Sequence, residues 1–98
     1  MFVPIIVHPN ETNDSFDVSV PGIKDCFSAG DTLEEATQNI AGALDLYVEH
    51  CHEEQINVNG NGKVMINTNI EHAFDQSEGG IVVCIMYEND DAVSVDIS

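Results

Sequence analysis

The 98-residue chain carries 18 Asp and Glu against two basic residues, Lys24 and Lys63, for a formal charge of −16. Such a surface repels nucleic-acid phosphates and anionic lipid headgroups, so direct nucleic-acid binding and membrane association are not expected, and a basic protein is the natural complement. The length allows one hydrophobic core, no apolar run approaches the span of a bilayer, and no basic-then-apolar N-terminal leader is visible, so the expected compartment is the cytoplasm. Acidity on this scale also serves solubility or salt adaptation, and composition alone does not separate these readings.

Phe2–His8 reads as a first strand, with Pro4 pointing to an edge position or an irregular start. The polar PNETND stretch, Pro9–Asp14, is a turn rich in side chains that bond their own backbone. Ser15–Val20 alternates Phe16, Val18 and Val20 against Asp17 and Ser19, as a half-buried strand requires. Pro21-Gly22 sets a turn, and Cys26–Ala29 returns as a third strand of a meander. Thr32 is the predicted N-cap of a helix, with Glu35 three residues on completing a capping box and Glu34 and Glu35 favoured by the positive end of the helix dipole.

That helix is predicted from about Leu33 to about Glu53. Leu33, Ala36, Ile40, Ala43, Leu44, Tyr47, Val48 and Cys51 form one apolar stripe at spacings of three and four, while Glu34, Gln38, Asp45, Glu49 and His52 face water. Gln55–Lys63, with two Asn-Gly pairs, is a loop or a tight hairpin. Val64–Ile66 is a short strand, and Asn69–Gln76 has weak helical character with Asn69 as its cap, ended by Gly79-Gly80. Ile81–Tyr87, a continuous apolar run, reads as a fully buried strand. Glu88–Asp91 is an acidic turn, and Ala92–Ile97 alternates as a final strand or hairpin partner. The fold class is therefore α+β, an antiparallel sheet of three or four strands packed on the main helix, in a single domain covering residues 1–98.

The segment His50-Cys51-His52-Glu53-Glu54 holds metal-ligand residue types, but only His50 and Glu54 share a helix face, and two ligands do not close a site. No motif places a thiol beside a base, and Gly60, Gly62 and Lys63 lack the helix that a phosphate loop requires. No catalytic residue, metal or cofactor is expected. Cys26, Cys51 and Cys84 lie in apolar surroundings with no CxxC pair and read as reduced, buried thiols.

Gly30–Glu49, GDTLEEATQNIAGALDLYVE, with the preceding VPGIKDCFSA, resembles the HicB antitoxin family, whose members neutralise HicA-type mRNA-cleaving toxins. FVPIIVH fits that family's first strand and GGIVVCIMY its late strand, and the match is densest over the first half of the chain. The resemblance implies a reduced RNase H-like fold, toxin binding rather than nuclease activity, and a homo-oligomer, for which Phe2–His8 and Ala92–Ile97 are the candidate sheet edges. Many family members add a DNA-binding module; no such module is expected within this sequence. A basic toxin would be met by carboxylates standing in for RNA phosphates, and Asp14, Asp17, Glu88, Asp90 and Asp91 are the candidate partner-binding residues, with Asp14 and Asp17 expected on a strand near the Glu88–Asp91 turn. The competing reading of that turn is a solvated tip. Two other functions stay open: a stand-alone interaction domain with a non-toxin partner, and a hydrolase of RNase H-like ancestry.

Overall fold

The computed structural model describes residues 1–12 and 14–96. Its elements are β1 (Phe2–Pro9), β2 (Phe16–Ser19), β3 (Phe27–Gly30), α1 (Leu33–Glu54), β4 (Val64–Asn67), α2 (Ile70–Asp75), β5 (Ile81–Met86) and β6 (Ala92–Val95). β3, β2, β1 and β5, in that order, form an antiparallel four-stranded sheet, and β4 and β6 pair in parallel as a separate two-stranded sheet.

β1 is not an edge, contrary to expectation. It lies between β2 and β5, and every residue from Val3 to Val7 is buried. Pro4 is tolerated because β2 pairs with β1 only from Ile6 to Pro9, so at Pro4 the strand has a neighbour on one side alone. The pairing register also sorts the faces. Val3, Ile5 and Val7 share one face with Val18, Val83 and Ile85, because directly opposed residues in an antiparallel pair lie on the same side. This inner face meets the α1 stripe of Ala36, Ile40, Leu44, Val48 and Cys51 in one core cluster. Ile6 points the other way, where α2 packs against β1.

Local chemistry accounts for α1. Thr32 is extended, and its hydroxyl accepts a bond of 3.0 Å from the Glu35 N–H. At the far end Gln55 takes the left-handed conformation, and its N–H bonds the Cys51 carbonyl. Leu33, at the margin of the stripe, remains 41% exposed. Before the helix, Gly22 adopts φ +83° in the Pro21-Gly22 turn, and the Val20 N–H closes on the Cys26 carbonyl at 3.0 Å. Gly30 lets β3 run directly beneath the first turn of α1: a Cβ there would stand 2.5 Å from the Ala36 backbone nitrogen.

Three further expectations are corrected. β5 is not fully buried: it closes one side of the sheet, and Ile81 and Met86 are each 57% exposed. β6 does not pair with β5 as a hairpin but joins β4 in parallel, Val64 opposite Ala92; Ile97, assigned to the same strand from sequence, lies outside the described residues. Cys26 and Cys51 are buried, and desolvation pushes the Cys26 thiol up to about 11, whereas Cys84 is exposed. It lies on the outward face of the edge strand, opposite Pro4.

Substitutions along the β3–α1 junction should separate in urea unfolding. Thr32→Ala is expected to cost about 1 kcal/mol as a lost N-cap, Gly30→Ala roughly 1–3 kcal/mol because helix and strand must part, and Leu44→Ala on the order of 2–5 kcal/mol through its cavity. Equal and negligible losses at all three would contradict this packing.

Candidate partner-binding surface

The acidic residues are not spread evenly. On α1, Asp45, Glu49 and Glu53 recur at intervals of four and so stand on one exposed side of the helix. The turn between β5 and β6 brings Asp91 beside them. With Val48, His52 and Asn89 they line an open cleft of about 400 Å³. Glu88 and Asp90, both exposed, belong to the same turn.

This turn is held firmly. The Tyr87 ring is buried in the core, and its hydroxyl donates to Asp45 Oδ1 at 2.6 Å. Asn89 Nδ2 donates to the same carboxylate oxygen at 3.1 Å and to the Tyr87 hydroxyl at 3.0 Å, while its Oδ1 accepts from the Asp91 N–H at 2.8 Å. Lys63 donates to the Asp90 backbone carbonyl, and the Val64 N–H bonds the Asp91 carbonyl at 2.7 Å. The carboxylates of Glu88, Asp90 and Asp91 are thus presented on a backbone pinned both to α1 and to β4. Burial first, and the Asp45 carboxylate next, raise the Tyr87 hydroxyl well above its ordinary 10.0.

Asp14 and Asp17 are not near this turn. Asp17 pairs with His8 near one end of β1, whereas Tyr87 bonds the Met1 backbone at the other. Eight strand residues, roughly 25 Å, separate the two groups. Asp17 lines a second cleft of about 490 Å³ with His8, Ser19, Phe27 and Ala29. Asp14 is committed to its own turn: bonds from the side chains of Asn10 and then Thr12 hold its carboxyl below the ordinary value. Sequence reasoning placed Asp45 and Glu49 in water without assigning them to a site, and missed Glu53 and Asn89. Their four-residue spacing was a readable signal, but their proximity to the Glu88–Asp91 turn depends on a contact between distant parts of the chain.

Among the described residues, no group of three or more His, Cys, Asp or Glu side chains is arranged to hold a metal ion. Cys51 is buried in the core, while His50 and His52 are exposed. Among the described residues no helix is long and apolar enough to cross a membrane. An open cleft walled by carboxylates suits the capture of Lys and Arg side chains.

A family model described as "HicB_like antitoxin of bacterial toxin-antitoxin system" matches residues 3–95. The chain is 43% identical over 54 residues to an uncharacterized 14.9 kDa protein from the rep–hol intergenic region of Haemophilus phage HP1, a stretch covering 55% of this chain and 39% of that protein. The chain spans less than half the length of the curated relatives it matches. Its fold is that of the N-terminal domain of Burkholderia pseudomallei antitoxin HicB, with a TM-score of 0.67 at 23% identity over 91% of this chain and 100% of that one. A chain in a HicA3 and HicB3 toxin–antitoxin complex is equally similar, with a TM-score of 0.67 at 22% identity over 91% and 100% of the two chains.

The raised Tyr87 hydroxyl makes a pH prediction. A group whose folded value lies above its unfolded one stabilises the fold below the unfolded value, about pH 10, and loses that contribution as pH rises through the folded value. Tyr87→Phe should start about 1 kcal/mol less stable at neutral pH and then lose less than the parent as pH climbs past 10. Parallel stability curves for parent and variant across that range would remove the Tyr87–Asp45 bond from the account.

Proposed function

The chain belongs to the HicB-like antitoxin family, and on that premise we propose that it binds a small, basic, HicA-type RNA-cleaving toxin in the cytoplasm and neutralises it by covering its RNA-binding surface. The family match carries the role, and the acidic cleft between α1 and the β5–β6 turn supports the place of contact. An RNA-cleaving toxin must attract phosphates, so its working surface is cationic. Asp45, Glu49, Glu53 and Asp91, with Glu88 and Asp90 at the rim, present carboxylates to such a surface. The inhibition is stoichiometric masking, without catalysis by the antitoxin.

Exposed charge pairs contribute about 0–1 kcal/mol each, so the acidic field acts chiefly on the rate of encounter. Affinity would then come from apolar and backbone contacts that form once the partners are aligned. Asp14 and Asp17, at the other end of the sheet, make a second and smaller acidic patch in this reading.

The test needs a HicA-type toxin, to be sought as a short, basic reading frame adjacent to that of this chain. RNA cleavage should stop as the chain reaches equimolar amounts. Reversing Glu88, Asp90 and Asp91 to Lys should slow association at low salt by roughly tenfold or more and flatten its salt dependence, while circular dichroism stays unchanged. The Lys63 bond survives these changes because it is made to the Asp90 backbone. Reversing Asp14 and Asp17 should slow association less. An unchanged rate for the triple variant would reject the cleft, and cleavage that continues in excess of the chain would reject the antitoxin role.

A further inference from the structure

Two Asn-Gly pairs, Asn59-Gly60 and Asn61-Gly62, stand between α1 and β4. In such a pair the glycine nitrogen can attack the asparagine side-chain carbonyl, because no Cβ hinders its approach and the attack closes a five-membered ring. The two pairs are alike in sequence, but the fold treats them differently. The segment is a tight hairpin closed by the antiparallel Val58–Val64 bridge. Within it the Asn59 N–H donates to the Lys63 carbonyl at 2.8 Å, and the Gly62 N–H donates to the Asn59 carbonyl at 3.0 Å. Asn59 Oδ1 accepts from the N–H of Asn61 at 2.9 Å and from that of Lys63 at 3.0 Å. Among the described residues, no hydrogen bond engages the Gly60 N–H, and a Cβ on Gly60 would meet nothing within 4 Å.

The reaction needs a nucleophile able to lose its proton, a place for negative charge on the attacked oxygen, and a leaving group. At Asn59 each requirement is met. The Gly60 nitrogen is open to solvent base. Oδ1, which becomes the oxyanion, already faces two backbone N–H donors at 2.9 and 3.0 Å, the separation at which such donors stabilise developing charge. Nδ2 is bonded to no acceptor among the described residues. At Asn61 the order is reversed: its nucleophile, the Gly62 N–H, is spent on the Asn59 carbonyl, and among the described residues nothing donates to the exposed Asn61 side chain. We propose that Asn59 is a self-modification site, which loses its side-chain amide to the Gly60 nitrogen faster than the more exposed Asn61 reacts.

The step balances without an oxidant or reductant. The Gly60 N–H proton goes to solvent base as the N–Cγ bond forms. The Cγ–Nδ2 bond breaks as Nδ2 is protonated, and ammonia leaves. One water then opens the succinimide ring, to aspartate if it attacks the side-chain carbonyl and to isoaspartate if it attacks the main-chain one. Isoaspartate carries the backbone through Cγ and lengthens it by one methylene, so the bonds that Oδ1 accepted are lost. Those bonds seat Lys63, which donates to the Asp90 carbonyl, and their turn holds the Gly62 carbonyl 3.2 Å from His52 Nε2. Modification of Asn59 therefore loosens the attachment of the acidic turn.

The experiment needs only the chain itself, incubated folded and in urea at mildly alkaline pH. Peptide mapping by mass spectrometry and isoaspartate-specific methylation then give the rate at each position. In the folded chain Asn59 should convert about tenfold or more faster than Asn61, short of the effect of one such donor in a closed active site. In urea, where the hairpin bonds are gone, the two rates should be similar. Asn61 converting as fast as Asn59 in the folded chain overturns the proposal, as does an Asn59 that stays intact while the unfolded chain converts. The same preference for Asn59 in urea would assign it to local sequence and also reject the proposal.

Discussion

Burial of β1 on both faces is the constraint from which the rest of the molecule follows. Val3, Pro4, Ile5, Ile6 and Val7 are all removed from solvent, and a fully buried Val or Ile contributes at most about 1.5–3 kcal/mol. A strand of this kind has to be covered twice and flanked twice. The α1 stripe covers the Val3, Ile5 and Val7 face, and α2 packs on the side of Ile6. β2 flanks it through a short local turn, while β5 arrives from more than seventy residues along the chain. That distant pairing carries Tyr87 into the core beside α1, and with it Asn89 and the acidic turn. The candidate binding surface is a consequence of how the central strand is buried.

Features governed by neighbouring residues were legible in the sequence. Thr32 caps the helix as expected, through the Glu35 N–H, Pro21-Gly22 makes its turn, and Ala36, Ile40, Leu44, Val48 and Cys51 form the buried stripe. The same GDTLEEA segment carried the family resemblance. Strand order was not legible, because alternation and apolar runs report burial and not neighbours. Pro4 suggested an edge, yet β1 is central, since β2 pairs only beyond Pro4 and β5 takes the other side. Ile81–Tyr87 has the composition of an enclosed strand, yet among the described residues Ile81–Met86 is an edge with no strand on its outer side. Of the candidate site, Glu88, Asp90 and Asp91 were placed on the acidic turn; Asp14 and Asp17 were drawn to it by charge alone and lie at the opposite end of the sheet.

The molecule divides its surface by charge. Like charges four residues apart on a helix cost a few tenths of a kcal/mol each, and α1 accepts this at Asp45, Glu49 and Glu53. Tyr87 and Asn89 both donate to Asp45, and Lys63 secures the neighbouring turn through its backbone. The result is a carboxylate wall held in place by a buried hydroxyl. β5, by contrast, is left without charge along its whole length.

The central claim, that the cleft between α1 and the β5–β6 turn receives a cationic toxin, is tested most directly by NMR titration of the labelled chain with that toxin. Backbone and side-chain signals of Asp45, Glu49, Glu53, Asn89 and Asp91 should shift or broaden together and saturate at one toxin per chain. Saturating binding that leaves those five residues unmoved and perturbs the Asp17 end of the sheet instead would contradict the account.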